Sequence, residues 1–298
     1  MNNINISTLQ GVFRWRPACW LRVAGDDAFT FLQGQFTNDL RVLERAPAVY
    51  GLWLTLKGKV LADSFVLRCN STGEFWVGSY YSPAVTIRQR LESHIIADDV
   101  VIEDLTADWA GVCVTGGALV ARLHDQSAGL VFPGRRGGGA DTEWVYPVAS
   151  GEPAPTAGLS LPVIDSETME RRRIAAAIPR VPLDVGPSDL PNEAGLEDSA
   201  ISYTKGCYLG QEVMARLKSM GQVRRRLWRV QGHEAAWPAL PAAVFAGARQ
   251  AGELRSAVAL ESGGWLGLAM VSRMHVSPGA DLSFTANGAP ALRLLDEP

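Results

Sequence analysis

The chain has 298 residues, 47% of them hydrophobic and 20% charged, which excludes a disordered chain and supplies apolar surface for more than one core. A net charge of -3 gives no overall field toward nucleic-acid backbones or anionic membranes, so neither is expected as a direct partner. No run reaches the roughly 18 apolar residues of a membrane helix, and Met1-Asn2-Asn3-Ile4-Asn5 lacks the basic and apolar stretches of a secretory leader, which predicts a cytoplasmic protein.

In chain order, Leu21 to Val23 reads as a short strand, and Asp26 or Asp27 is placed to cap a helix carrying Ala28, Phe31, Leu32 and Phe36 on one face. Val60 to Arg68 and Glu74 to Gly78 read as a hairpin around Asn70-Ser71-Thr72-Gly73. Ser82-Pro83 starts a helix with Ala84, Ile87, Leu91 and Ile95 at helical spacing, and strands return at Val100 to Leu105 and Trp109 to Val114. Strand pairs alternating with single helices predict an α+β protein with antiparallel sheets, and no glycine-rich phosphate loop argues for a doubly wound nucleotide fold.

Arg135-Arg136-Gly137-Gly138-Gly139 and Gly151-Glu152-Pro153-Ala154-Pro155 read as surface loops, because their glycines and prolines do not sustain regular structure. Ser166 is placed to cap a helix running to about Ala177 and ended by Pro179. Three successive arginines within it, Arg171, Arg172 and Arg173, spread around the helix axis and are expected on a solvated face, with anion binding by one of them left open. Beyond Gly221, short apolar runs punctuated by glycines predict a small β-barrel, with strands at Val223 to Val230, Ala242 to Phe245, Gly252 to Ala259, Trp265 to Ser272 and Leu282 to Thr285. The domain reading is residues 1–222 and 223–298.

The four cysteines, Cys19, Cys69, Cys113 and Cys207, lie 44 or more positions apart, so no sequence-local metal site is expected. Cys69 and Cys113 sit among strand formers and read as small buried apolar residues. Cys207 differs, standing in Lys205-Gly206-Cys207-Tyr208-Leu209-Gly210-Gln211-Glu212. Glycines there allow a tight turn, Lys205 offers a charge that favours thiolate, and Glu212 is spaced to pair with Arg216 if the following residues are helical. From residues alone this segment is either a functional thiol or a structural turn. His94, His124, His233 and His275 carry no motif that would make a Cys-His protease.

The segment resembles the signature Lys-Gly-Cys-Tyr-x-Gly-Gln-Glu of YgfZ-type folate-binding proteins, matching every fixed position. Phe31-Leu32-Gln33-Gly34-Gln35-Phe36-Thr37-Asn38-Asp39, Lys57-Gly58-Lys59, Ile174 to Pro179 and the region around Leu266-Gly267 are similar to further blocks of that family. The resemblance implies the fold of the glycine-cleavage T-protein: two α+β units, ferredoxin-like, and a C-terminal barrel around a central folate channel. It implies tetrahydrofolate or a derivative as ligand, and iron-sulfur enzymes, including those that modify tRNA, or their assembly factors as partners. Implied motif or folate positions are Gln33, Thr37, Asn38, Asp39, Lys205, Gly206, Tyr208, Gly210, Gln211, Glu212 and Arg216, with Cys207 as the functional thiol and no bound metal. Trp20, the tryptophan nearest the first block, is the aromatic candidate for stacking on a pterin.

T-proteins carry an Asp-Asp pair where this chain has Ala62-Asp63, and a glutamate where it has Ala175. Both departures point away from an aminomethyltransferase, since carboxylates there would position the reactants and stabilise developing charge. A folate-dependent maturation factor is therefore expected ahead of two alternatives: a one-carbon transferase, and a module in which folate only holds the units together.

Overall fold

The computed structural model describes residues 10–69, 72–116, 129–148, 161–234, 236–274 and 276–296. The expected loop at 151–155, half of the turn at 70–73, His124, His275 and the first nine residues lie outside these.

The chain opens with β1 (Gly11–Trp15) and β2 (Cys19–Ala24), which enter different sheets. With β3 (Ala48–Leu54), β4 (Val60–Arg68), β5 (Phe75–Ser79) and β6 (Val101–Asp104), β2 forms a five-stranded antiparallel sheet ordered β3-β4-β5-β2-β6. Alternation along β4 sends Ala62 and Val66 into a core shared with α1 (Ala28–Gln35) and α2 (Ala84–Glu92), while Phe65 and Leu67 face a second, aromatic core. Both faces are covered, so β4 reads as an almost continuous apolar run.

That aromatic core joins the second sheet, β1 with β7 (Trp109–Thr115), β8 (Leu130–Pro133) and β9 (Thr142–Pro147), through Phe132 and Val145. Next come α3 (Ser166–Ala175), the single turn α4 (Glu197–Ala200) and α5 (Gln211–Met220). The remaining strands, β10 (Arg225–Gly232), β11 (Ala242–Ala246), β12 (Arg249–Ala259), β13 (Trp265–Ser272), β14 (Asp281–Leu282) and β15 (Leu292–Asp296), order as β11-β12-β13-β10-β15-β14. A bridge between Phe245 and Ser283 brings the two edges together, so the sheet is a nearly closed barrel. The architecture is α+β, as expected. Among the described residues no helix is long and apolar enough to cross a membrane.

Four local expectations are corrected. Asp27 stands at the N-cap of α1 but does not cap it; its carboxylate accepts from the Asp99 amide at 2.8 Å and ties two loops together. Asp165, not Ser166, caps α3, accepting from the Thr168 amide at 2.7 Å. Arg172 and Arg173 are each only 2% exposed, against the solvated face expected for them: Arg172 pairs with Asp141 at 3.0 Å and Arg173 with Asp184 at 2.8 Å. The loop after Arg135 is not all surface either, because Arg136 lies under the Tyr80 ring at 3.8 Å and pairs with buried Glu143 at 2.8 Å. Each of these three arginines meets a carboxylate from another segment, which offsets the cost of removing its charge from water.

One apolar cluster ties the parts together. It gathers Leu52, Leu54 and Val60 from the first sheet, Ile174 and Ala177 from the end of α3, Tyr208 and Met214 around α5, and Leu227, Leu266, Leu268 and Met270 from the barrel.

Candidate functional site

Gly210 sets the geometry of the cysteine segment. Its φ of 85° places it in the left-handed region, and an added Cβ would lie 2.8 Å from the Thr55 carbonyl oxygen, so the position admits only glycine without strain. From this turn α5 departs, and Glu212 and Arg216 form the expected pair at 3.2 Å, both largely exposed. Gly58, also left-handed at 70°, packs on Val213 and Met214. The Lys57-Gly58-Lys59 block therefore lies against the first turns of α5.

Lys205 is buried, 5% exposed, and its ammonium donates to three backbone carbonyls at and just beyond the end of α1: Gln33 at 2.6 Å, the C-cap Phe36 at 2.6 Å and Asn38 at 3.0 Å. Burial pulls it down to about 8 from the ordinary lysine range. The Tyr208 ring lies 5.2 Å from that ammonium, and the buried Tyr208 hydroxyl, pushed up by the same loss of water, has no hydrogen-bond partner. Cys207, two residues from Lys205, is exposed, whereas Cys19 and Cys113 are buried and Cys69 is intermediate rather than buried.

The polar side chains of the first block have internal partners. Gln33 donates to Asp39 at 2.9 Å and accepts from the Leu40 amide at 2.8 Å. Thr37 donates to the Ala200 carbonyl at 2.7 Å and accepts from the Leu52 amide, and Asn38 donates to the Tyr50 carbonyl at 2.8 Å. Arg41 holds the Asp39 carboxyl well below the usual carboxylate range. Gln33 to Asp39, Lys57 to Lys59 and Lys205 to Glu212 thus meet in space. Trp20 stands apart: it is 1% exposed, with Trp76 stacked on it and Trp109 beside it, so no ring face is open to a ligand.

A cavity of about 680 Å³ opens between α3 and the barrel, lined by Phe13, Tyr81, Glu170, Arg180 and Trp237 among others. Arg173 grips Glu170 at 2.7 Å, and the buried Nε of Arg180 has no partner. None of these residues was singled out by sequence. Trp237 offered the one legible signal, a tryptophan followed by proline outside any strand-like run.

Ala62 and Asp63 point to opposite faces of β4. Ala62 packs into the apolar core under α1, where a carboxylate would be stranded. Asp63 accepts from Ser79 and Ser82 at 2.7 Å each and from Tyr50 at 3.0 Å, and burial raises its carboxyl despite these bonds. Ala175 is partly buried against the joining cluster.

Comparison with known proteins bears on the fold and on what the chain is similar to. Residues 10–126 match the family model of the GCVT N-terminal domain. The chain is 27% identical over 219 residues to the tRNA-modifying protein YgfZ of Vibrio vulnificus, covering 71% of this chain and 67% of that one. It is 29% identical over 236 residues to the mitochondrial iron-sulfur cluster assembly factor IBA57 of Homo sapiens, covering 74% and 65%. The crystal structure of the glycine cleavage system aminomethyltransferase T from Bartonella henselae superposes with a TM-score of 0.80 at 15% identity, covering 98% of this chain and 86% of that one. In sequence motif and fold together, the chain is similar to the YgfZ-like proteins.

Proposed function

We propose that this protein is a tetrahydrofolate-binding accessory factor that supports assembly or repair of iron-sulfur clusters, including those of tRNA-modifying enzymes, with Cys207 as its working thiol. The observation that carries this reading is the convergence of three distant blocks on one rigid turn that leaves Cys207 exposed. The names of the relatives supply the cluster and tRNA context.

The cavity between α3 and the barrel fits the folate. Its volume lies in the range of small-molecule sites, Phe13, Tyr81 and Trp237 offer apolar ring surface, and the Arg180 Nε lacks a partner. Tetrahydrofolate bound there would supply a reduced pterin, with Trp237 and Tyr81 packing on its ring and Arg180 meeting a polar edge. Lining residues come from both sides of residue 222, which supports dividing the chain into a folate-binding region and a barrel that closes over it. A single carboxylate at Asp63, with Ala62 turned into the apolar core, favours an accessory role over one-carbon transfer.

Calorimetric titration with reduced folates tests the ligand. Binding raises the melting temperature of the wild-type chain, and Trp237→Ala weakens it at least tenfold; neither heat nor a thermal shift would end the folate assignment. In cells, Cys207→Ser lowers iron-sulfur enzyme activity while leaving the fold and folate binding intact. Full activity of that variant would remove the thiol from the mechanism.

A further inference from the structure

Lys205 sits in a demanding environment that the proposed function does not use. It is a cation at 5% exposure, and among the described residues no carboxylate lies within bonding distance of it. Buried charges are ordinarily paired with opposite charges. Here the counterpart is a helix end. α1 has no basic residue in its own last turn, its terminal carbonyls lack intrahelical partners, and its dipole places partial negative charge there. The lysine that answers both needs comes from 172 positions away in sequence.

The match is stereochemical as well as electrostatic. An ammonium carries three N–H donors around one nitrogen, and it meets three carbonyl oxygens, of Gln33 in the last turn of α1, of its C-cap Phe36 and of Asn38 just beyond, at 2.6, 2.6 and 3.0 Å. A guanidinium spreads its donors in a planar fork and is larger, so it keeps the charge without the fit. The ammonium is turned into the protein, whereas Cys207 is exposed.

We infer that Lys205 is a positioning residue, whose ammonium pins the Cys207 turn to the end of α1 and acts on the thiol through place rather than through charge. This rests on reading Cys207 as the working thiol. It reverses the simplest expectation from sequence, in which Lys205 serves as the cation that favours thiolate.

The test uses the full-length chain with Lys205→Met, Lys205→Arg and Cys207→Ser. Hydrogen exchange is followed over 30–40 and 203–212, Cys207 alkylation is followed from pH 6 to 10, and iron-sulfur enzyme activity is measured in cells. Both lysine variants should lose at least tenfold of exchange protection in those two segments and at least tenfold of activity, with the alkylation midpoint of Cys207 unchanged. Cys207→Ser should keep full protection. If Lys205→Arg behaves as wild type, or if Lys205→Met raises the alkylation midpoint by a full pH unit, charge is the operative property and the inference fails. Competitive acetylation of the wild-type chain needs no variant to fold: Lys205 should react at least tenfold more slowly than Lys57, Lys59 and Lys218, and equal rates would overturn the clamp. Were Cys207→Ser fully active while Lys205→Met lost protection, the thiol reading would fall and the clamp would stand.

Discussion

Asp63 carries its carboxyl where water does not reach, and three hydroxyls only partly offset the burial that raises it. A carboxyl raised on folding costs stability as pH climbs from the ordinary carboxylate range, about 3.9, through its elevated folded value. Asp63→Asn, which keeps the shape and still accepts from Ser79 and Ser82, should therefore melt a few degrees above the parent at pH 8, with the gap closing on acidification; a lower melting temperature at pH 8 would count against it. Ala177 is strained in the opposite sense of cause, by backbone alone, with φ at 54°. Ala177→Gly should stabilise by up to about 1 kcal/mol in urea unfolding, since the left-handed penalty for a residue with a Cβ exceeds the added chain entropy of glycine. At this scale the sequence was readable for Cys207, whose motif set it apart from the other cysteines. It was not readable for Arg136 or Arg173, because a run of arginines says nothing of carboxylates such as Asp184 that fold back to meet them.

Among the elements, the turn into α5 depends most on one residue. Gly210→Ala would force a left-handed alanine and push its Cβ toward the Thr55 carbonyl, for a cost of about 2 kcal/mol. Thermal unfolding should show that loss, and exchange in α5 should rise; an unchanged melting temperature would mean that the turn relaxes freely. The strands around Val60 to Arg68 and Trp265 to Ser272 were legible from their apolar runs, and the pairing of Glu212 with Arg216 from its spacing. β15 was not, because Leu292 to Asp296 is short and follows a loop without a hairpin signal, and its place between β10 and β14 comes from pairing partners about 60 and 10 residues back. Helix caps were misplaced by a residue or put to other use, as Asp27 shows, since a carboxylate near a helix start can serve whichever amide the fold brings closer.

Across the whole molecule, a buried ionic seam fastens the segment after α3 to the barrel. Asp189 accepts from Arg255 at 2.6 Å and from Arg225 at 3.0 Å, and Ser256 of β12 donates to Asp184. Burial alone would raise the Asp189 carboxyl, but the bonds and charges of Arg255 and Arg225 outweigh it and hold it low. A lowered carboxyl contributes stability above its ordinary range and loses it as pH falls through the folded value. Asp189→Asn should thus cost about 3 kcal/mol at pH 7 in denaturant unfolding, with the difference shrinking toward pH 3; a loss that stays constant with pH would point to packing instead. The class of fold followed from strand pairs alternating with helices, and the barrel from glycine-punctuated runs. Which faces meet, and hence where the cavity lies, did not, because its walls are drawn from residues 13 to 259 and no local pattern encodes that encounter.

The clamp at Lys205 also has a timetable. Ribosomes add about 5 to 20 residues per second, and 172 positions separate Gln33 from the lysine that caps its helix, so the end of α1 waits roughly ten to thirty seconds for its cation. During that interval the helix end exposes uncapped carbonyls, whereas Phe31, Leu32 and Phe36 find their core partners between residues 19 and 102. Nascent chains halted before residue 205 should exchange amide protons faster over 33–38 than chains halted well beyond it, and equal rates would show that the capping comes earlier.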